Sequence, residues 1–343
     1  MILPYKTRRF FRGLATTGLV LVLVLVIVWL IWLLWLDRYV VYTRDGAVLD
    51  FDLPDEVASG QIALPPEDDV TISIYYNEGD QALDISTELG QLAGYYIDAQ
   101  MLETDMSTVL SQLKKLPPQT PIMVEMKDIV GRFFFQTTLG PVRSSLDQNA
   151  MNELMRVLKL SDFYLIAKFP SLRDYYYGLE HVNDGIFLKS GIGLWMDDNR
   201  CYWLNPQSEG TLSYIIQTIT ELKLMGFNEV VLGDFAIPVS DRIRFSGNRN
   251  EILGAAAKRI LETCGTDRFA VSFCVTDAAF PLPEGRTRLY LENGAASEIK
   301  TLSSQTVFSD TAVKLVFITD LNDTRFDDYG VLRPLNTAQL EEE

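Results

Sequence analysis

The sequence predicts an α/β chain: a (β/α)8 TIM-like barrel, regular or incomplete, behind one N-terminal transmembrane helix. Three observations carry that reading. Short apolar runs rich in β-branched and aromatic residues alternate with helical patterns from Val70 onward, as in a sheet of parallel strands wound with helices. No GxGxxG or Walker A motif opens any of those helices, which sets a barrel ahead of a doubly wound nucleotide-binding sheet. An unbroken apolar stretch precedes the alternation and is long enough to cross a bilayer.

That stretch is Leu19 to Leu36, LVLVLVLVIVWLIWLLWL, which Leu14 to Gly18 extend, so the span is 14–36. At about 1.5 Å rise per residue it matches the hydrocarbon thickness. Trp29, Trp32 and Trp35 sit in its second half, where indoles favour the lipid–water interface. Lys6, Arg8, Arg9 and Arg12 precede it with no acid among them. By the positive-inside rule the basic tail 1–13 is cytoplasmic and the chain beyond Leu36 is exported, extracellular or periplasmic. No small-x-small cleavage site follows, since the next residues are Asp37-Arg38-Tyr39-Val40, and the segment reads as a signal anchor in the cell membrane. Residues 37–69, with Pro54, Pro65 and Pro66 among scattered acids, read as a stalk, and 70–343 as the exported barrel.

Composition narrows the function. The 343 residues hold 30 bases against 46 acids, a net charge of -16, and such a surface repels nucleic acid. A hydrophobic content of 48% excludes a disordered chain. One histidine, His181, excludes a multi-His metal site and reads as a surface or capping residue. Cys201, Cys264 and Cys274 form no CxxC pair and read as free thiols. The pattern calls for no metal and no cofactor.

Strand candidates in chain order are Val70–Tyr76, Gly94–Asp98, Ile122–Lys127, Phe163–Phe169, Glu229–Phe235, Phe269–Val275, Arg288–Glu292 and Ala312–Thr319. Several are almost continuously apolar, which suits strands buried on both faces. Helices are predicted at Thr104–Leu116, Asp147–Leu160, Ser208–Met225 and Asn250–Cys264, the last two stopped by Gly226 and Gly265.

Parallel barrels build their sites at the C-terminal ends of the strands, where all βα loops open on one face. Polar residues concluding apolar runs are therefore the candidates: Asp98, then Glu125, Lys127 and Asp128, then Lys168, Asp234 and Glu292. Asp234 stands out, with an apolar strand and a glycine before it; its alternative role is a salt bridge to the following loop, through Arg242 or Arg244. The segment Gly193 to Pro206 predicts a hairpin on the mouth side, with Trp195 and Trp203 flanking an Asp-Asp-Asn turn. Aromatic rings beside carboxylates suit a sugar, whose C–H faces stack on indoles.

These residues, in order, resemble a known family. Gly94-Tyr95-Tyr96-Ile97-Asp98, Val124-Glu125-Met126-Lys127-Asp128 with Gly131, and Ile166-Ala167-Lys168-Phe169 open the pattern. Trp195-Met196-Asp197, Trp203-Leu204-Asn205-Pro206, Leu224 to Val230, and Asp234-Phe235 with Pro238 continue it. The family is a bacterial one of glycoside-hydrolase-type domains, TIM barrels related to α-amylases and α-galactosidases, and the resemblance runs from about Gly94 to Phe280. It implies a membrane-anchored hydrolase of a cell-envelope or extracellular polysaccharide, with Asp234 as nucleophile and Asp128 or Glu292 as the acid. Glu125, Lys127, Lys168, Trp195, Trp203 and Asn205 would bind the substrate. The chain departs from the pattern at four places, one of them the family's later Met-Tyr-Pro segment, which it lacks. The family's strand-two acid is Asp where this chain has Glu125; its strand-four Asp-Tyr-Val-Arg-Phe-Pro becomes Asp234-Phe235-Ala236-Ile237-Pro238, without the arginine; and Cys274 stands at the acid of strand five. Those losses make a catalytically inactive barrel that binds a glycan or a partner protein the alternative.

Overall fold

The computed structural model describes residues 89–292 and 294–335, two short strands between 40 and 49, and six helical positions between 22 and 32. The chain divides into two compact units, Met1–Ser73 and Ile74–Glu343. In the first, β1 (Val40–Thr43) and β2 (Gly46–Leu49) pair antiparallel as a hairpin, inside the stretch expected to be a stalk. Among the described residues no helix is long and apolar enough to cross a membrane. Most of 14–36, and the strand candidate Val70–Tyr76, lie outside the described residues.

The second unit is a closed barrel of eight parallel strands with helices between them. In chain order the strands are β3 (Ala93–Ile97), β4 (Pro121–Glu125), β5 (Tyr164–Pro170), β6 (Glu229–Gly233), β7 (Ala270–Cys274), β8 (Leu289–Glu292), β9 (Leu315–Ile318) and β10 (Gly330–Pro334). Each pairs with its chain neighbour, and β10 closes the ring onto β3 with Val331 opposite Ala93 and Pro334 opposite Tyr96. Seven of these strands are the predicted ones: β6 to β9 are shortened at their ends, β3 and β4 begin one residue earlier, and β5 is displaced by one residue toward its C-terminus. The closing strand β10 was not expected, because Gly330-Val331-Leu332-Arg333-Pro334 is short, charged and ends in proline, which cannot donate to a ladder. The predicted helix Thr104–Leu116 is two, Ala99–Thr104 and Met106–Leu113, broken at Asp105; the predicted strand from Ala312 begins instead as a helical turn, Thr311–Lys314.

Strand alternation sorts side chains between the two faces of the sheet. In β5, Leu165, Ala167 and Phe169 face outward into the core shared with the helices, whereas Ile166 joins Met123, Val231, Tyr290, Val316 and Leu332 inside the ring. The helices bury matching stripes, for example Leu154, Leu158, Ile215, Ile219 and Leu222.

At the N-terminal end the interior is closed by a polar lock. Arg288 forms an ion pair with Glu229, both fully buried. Glu229 also accepts from Ser272 Oγ at 2.5 Å, Tyr290 Oη at 2.9 Å and Tyr164 Oη at 2.9 Å. Arg288 donates to the Gly90 carbonyl at 2.8 Å, tying the chain entering β3 to the barrel floor. Burial opposes the Arg288 charge, but Glu229, Tyr290 and Tyr164 together more than offset it, and the guanidinium is held above its ordinary range. All three cysteines are buried and none is in a disulfide.

Two predictions follow from this packing. Glu229→Leu leaves Arg288 charged and unpartnered inside the ring, so it should cost about 3–5 kcal/mol in a denaturant titration. Burial pushes the Cys264 thiol up to about 11. A raised thiol pKa means less thiolate at a given pH, so alkylation at pH ~8 should stay slow until the protein is unfolded.

Candidate active site at the barrel mouth

The C-terminal end of the barrel holds a cation between two acids. Lys168, the last inward residue of β5 before Pro170, reaches Glu125 Oε1 at 3.5 Å and forms a shorter contact with Glu292. Glu125 ends β4 and Glu292 ends β8, four strands apart in a ring of eight, so one ammonium spans the barrel. A shared ammonium keeps the two carboxylates no more than about 7 Å apart. Burial disfavours the charge on Lys168, but Glu292, Glu125 and Cys274 favour it, and the net shift is upward. Glu125 Oε2 also accepts from the Ala99 amide at 3.0 Å. Gly233 ends β6 beside the lysine: a Cβ there would lie 3.3 Å from the Phe169 carbonyl oxygen and 3.4 Å from Lys168 Cε.

Asp234 follows Gly233 and sits in the left-handed region, φ +46°, which an aspartate tolerates better than most residues. Its side chain is about one-third exposed. The guanidinium of Arg173, from the loop after β5, lies 3.9 Å from Asp234 Oδ1 and 2.6 Å from Asp197 Oδ2. One rigid guanidinium touching both limits these carboxylate oxygens to a separation of about 9 Å. Arg173 also lies over the ring of Trp203 at 5.7 Å, and Trp203 Nε1 donates to Asp197 Oδ2 at 3.0 Å. Asp197 Oδ1 takes the amides of Asn199 at 3.0 Å and Cys201 at 2.9 Å, which shapes the turn between the tryptophans. The expected hairpin is present, with Met196 bridged antiparallel to Tyr202. Trp195 and Trp203 are both half-buried against the core.

Arg173 was not singled out in the sequence. It lies three residues beyond Pro170, past the end of the strand, and the strand-end criterion stopped short of it. It places a guanidinium beside Asp234 although the strand-four segment has lost its arginine. Asp234 accordingly pairs with Arg173, upstream in the chain, rather than with the Arg242 or Arg244 expected from the following loop.

The other predicted residues fall away from the mouth or into its frame. Lys127 is 2% exposed, donates to Asp174 at 2.9 Å and to Tyr214 Oη at 3.2 Å, and lies among the rings of Phe133, Phe169 and Tyr214. Its burial makes it a structural cation rather than a substrate ligand. Gly131 is required there: its φ is +101° and a Cβ would lie 2.0 Å from Asp174 Oδ1. Asp128 gathers the amides of Val130, Gly131 and Arg132 at 2.9–3.0 Å on Oδ1, with Arg132 and Arg143 on Oδ2. With both oxygens occupied by donors, Asp128 is a loop organiser and is not placed to deliver a proton. Asp98 caps the helix after β3 by accepting from Met101 N at 2.8 Å. Asn205 orders the turn before the helix Glu209–Leu224 by accepting from the Gln207 amide at 3.1 Å. His181 is exposed and stacks on Tyr177, as a surface residue. Among the described residues no group of three or more His, Cys, Asp or Glu is arranged to hold a metal ion.

With this geometry in hand, comparison with known proteins places the domain. Residues 95–259 match the model of a family described as a "putative glycosyl hydrolase domain". The matched stretch contains β3 to β6 with Glu125, Lys168, Arg173, Asp197 and Asp234, so the family pattern covers one half of the mouth, while Cys274 and Glu292 lie beyond it. No curated protein matches the chain. Among solved structures, a hypothetical protein from Ruminiclostridium thermocellum is 15% identical over 52% of this chain and 96% of its own, with a TM-score of 0.45. A GH20 exo-β-N-acetylglucosaminidase from Vibrio harveyi is 10% identical, covering 66% of this chain and 41% of its own, TM-score 0.48. A GH36 α-galactosidase from Geobacillus stearothermophilus is 10% identical, covering 74% and 40%, TM-score 0.48. This chain spans less than half the length of those two enzymes.

Removing the ammonium tests the arrangement. Lys168→Met leaves Glu125 and Glu292 facing each other, so proton uptake by the folded pair becomes favourable and their folded pKa rises above the unfolded value. A carboxylate raised in the folded state contributes stability below its unfolded pKa and loses it as pH rises through the folded one. The variant should therefore lie closest to the parent near pH ~4 and fall further behind by pH ~7 in denaturant midpoints.

Proposed function

We propose that this protein is a membrane-anchored glycoside hydrolase of the cell surface, acting on a cell-envelope or extracellular polysaccharide. Carrying this reading is the convergence at one barrel mouth of Asp234, Arg173, Trp203 and the Glu125–Lys168–Glu292 bridge. Glycoside hydrolysis needs two carboxyl groups flanking the bond, separated by about 5–5.5 Å for retention or 6.5–9.5 Å for inversion. Asp234, partly exposed and beside a guanidinium, suits the carboxylate that stabilises the oxocarbenium-like transition state. Glu292 suits the acid. Of the two carboxylates on Lys168, Glu125 is also fixed by a backbone amide, and both are about one-quarter exposed. Trp195 and Trp203 offer apolar surface to a sugar ring, and Arg173 holds Trp203 in place from one side.

Anchoring is supported by the apolar span 14–36 with its basic flank. The described positions inside it, Val22, Leu25, Val26, Val28, Trp29 and Trp32, are helical and 48–59% exposed, an apolar surface suited to lipid rather than water.

A specific observation favours a second reading, a barrel that binds a glycan or a partner without cleaving it. Cys274 ends β7 inside the ring where the resembled family has an acid, and a buried thiol there supplies no carboxylate.

Release of reducing ends from isolated cell-wall polysaccharide separates the two. Asp234→Asn and Glu292→Gln should each lower turnover by about 10²–10⁴-fold with folding intact. Parent and variants all inactive, yet retaining the polysaccharide equally, would establish the binding reading. Fractionation with protease shielding checks the anchor: the barrel should be cut from intact cells or spheroplasts, and deletion of 14–36 should free it from membranes.

A further inference from the structure

The loops leaving β5 and β6 meet beyond the mouth as a small antiparallel ribbon. Leu188 is bridged to Ile243, the Lys189 amide donates to the Arg242 carbonyl at 2.7 Å, and the Arg244 amide donates to the Phe187 carbonyl at 2.7 Å. Alternation then fixes the faces. Ile243 is buried, with Leu188 beside it half-buried, so Lys189, Arg242 and Arg244 share the outer face, and all three are exposed.

Arg242 and Arg244 stand apart from most arginines of the barrel. Most arginines of the barrel stand in ion pairs: Arg132, Arg143, Arg156, Arg173, Arg259, Arg288, Arg325 and Arg333. Among the described residues, no salt bridge joins Lys189, Arg242 or Arg244 to any acid, including the adjacent, exposed Asp241. Lys189 moreover lies directly across the ribbon from Arg242, and like charges at such positions repel. In a chain of net charge -16, three clustered cations without acids, one pair opposed, call for an anion from outside.

We propose that this ribbon binds a polyanion, and that the polysaccharide entering the barrel mouth carries carboxylate or phosphate groups along its chain. The proposal rests on the glycoside hydrolase reading above and names its substrate class. Position supports it: the ribbon strand begins a few residues after Asp234, and its partner strand grows from the same loop that supplies Arg173 and Trp203. An acidic glycan held on Lys189, Arg242 and Arg244 is thus next to the residues proposed to cleave it. The net negative domain would otherwise repel such a chain, and the ribbon supplies local attraction.

The test measures binding rather than turnover, on the full chain in non-ionic detergent. Polygalacturonate probes carboxylate, long-chain polyphosphate probes phosphate, and dextran is the neutral control, all at low salt. The parent should bind one or both polyanions, weaken as salt rises, and ignore dextran. The triple variant Lys189→Gln, Arg242→Gln, Arg244→Gln should lose about tenfold in affinity, the worth of three exposed ion pairs. Arg325→Gln, a substitution at an exposed and acid-paired arginine, should bind as the parent does. Asp234→Asn should also keep its affinity, so polyanion binding without hydrolysis would sustain the ribbon while removing the catalytic reading. Equal binding by triple variant and parent, or equal binding to dextran, would overturn the proposal. So would a parent that ignores both polyanions but is captured by phosphatidylglycerol vesicles, an outcome assigning the ribbon, with exposed Ile192 and Val239 at its tips, to a lipid surface.

Discussion

One ammonium inside a ring of strands organises the mouth of this barrel. Lys168 is nearly sequestered from water, and a cation so placed is costly unless compensated. Glu125 from one side of the ring and Glu292 from the other supply that compensation, and neither carboxylate would tolerate the position without the lysine. The three residues are therefore interdependent, and their distance from one another is set by strand closure. Parallel strands that all finish at the same end, with inward residues at equivalent heights, make the meeting geometrically inevitable. At the opposite end Arg288 and Glu229 repeat the solution in a form closed to solvent. The barrel thus has a sealed floor and a polar mouth, each centred on a buried cation.

A second layer of cations sits around the first. Arg173 couples Asp234 to Asp197 and lies on Trp203, while Arg132 and Arg143 hold Asp128, and Lys127 holds Asp174. Each pair fastens a βα loop to the rim. Such loops would otherwise be the mobile part of the fold, and a site on them is only as precise as the contacts that fix them. Charge that reads in the sequence as a scatter of acids and bases is, in three dimensions, loop fastening for the most part. Asp234, Glu125 and Glu292 each combine a place at a strand end with a carboxylate partly open to solvent.

The strands were legible because burial on both faces leaves runs such as Phe163-Tyr164-Leu165-Ile166-Ala167 with few polar interruptions. β10 escaped because its proline and arginine break that pattern; it closes the ring through pairing with β3 and β9, information that a single segment does not contain. The site was legible to the extent that strand ends mark it. Glu125, Lys168, Asp234 and Glu292 were found by that criterion, and the structure brings three of them together around one nitrogen. Asp128 and Lys127 passed the same criterion, yet both belong to the loop frame, since the identity of a side chain does not reveal how many amides will converge on it. Arg173 was missed for the converse reason. Its place in an irregular loop carries no periodic signal, although a basic residue immediately beyond a strand capped by a proline is a pattern worth following.

The lost strand-four arginine bears on how such a site diverges. Removing a guanidinium beside a carboxylate ordinarily raises the cost of keeping that carboxylate charged, and the following loop would have to compensate. Here the compensation comes from the preceding loop, because Arg173 reaches the space beside Asp234 from β5. The same does not hold at β7: Cys274 contributes no carboxylate, and Glu292, one strand further round, is the nearest acid by topology. The opening thus holds one carboxylate paired with a guanidinium and two acids bridged by a lysine, so each charge at the mouth meets its counter-charge within the barrel's own loops and strands.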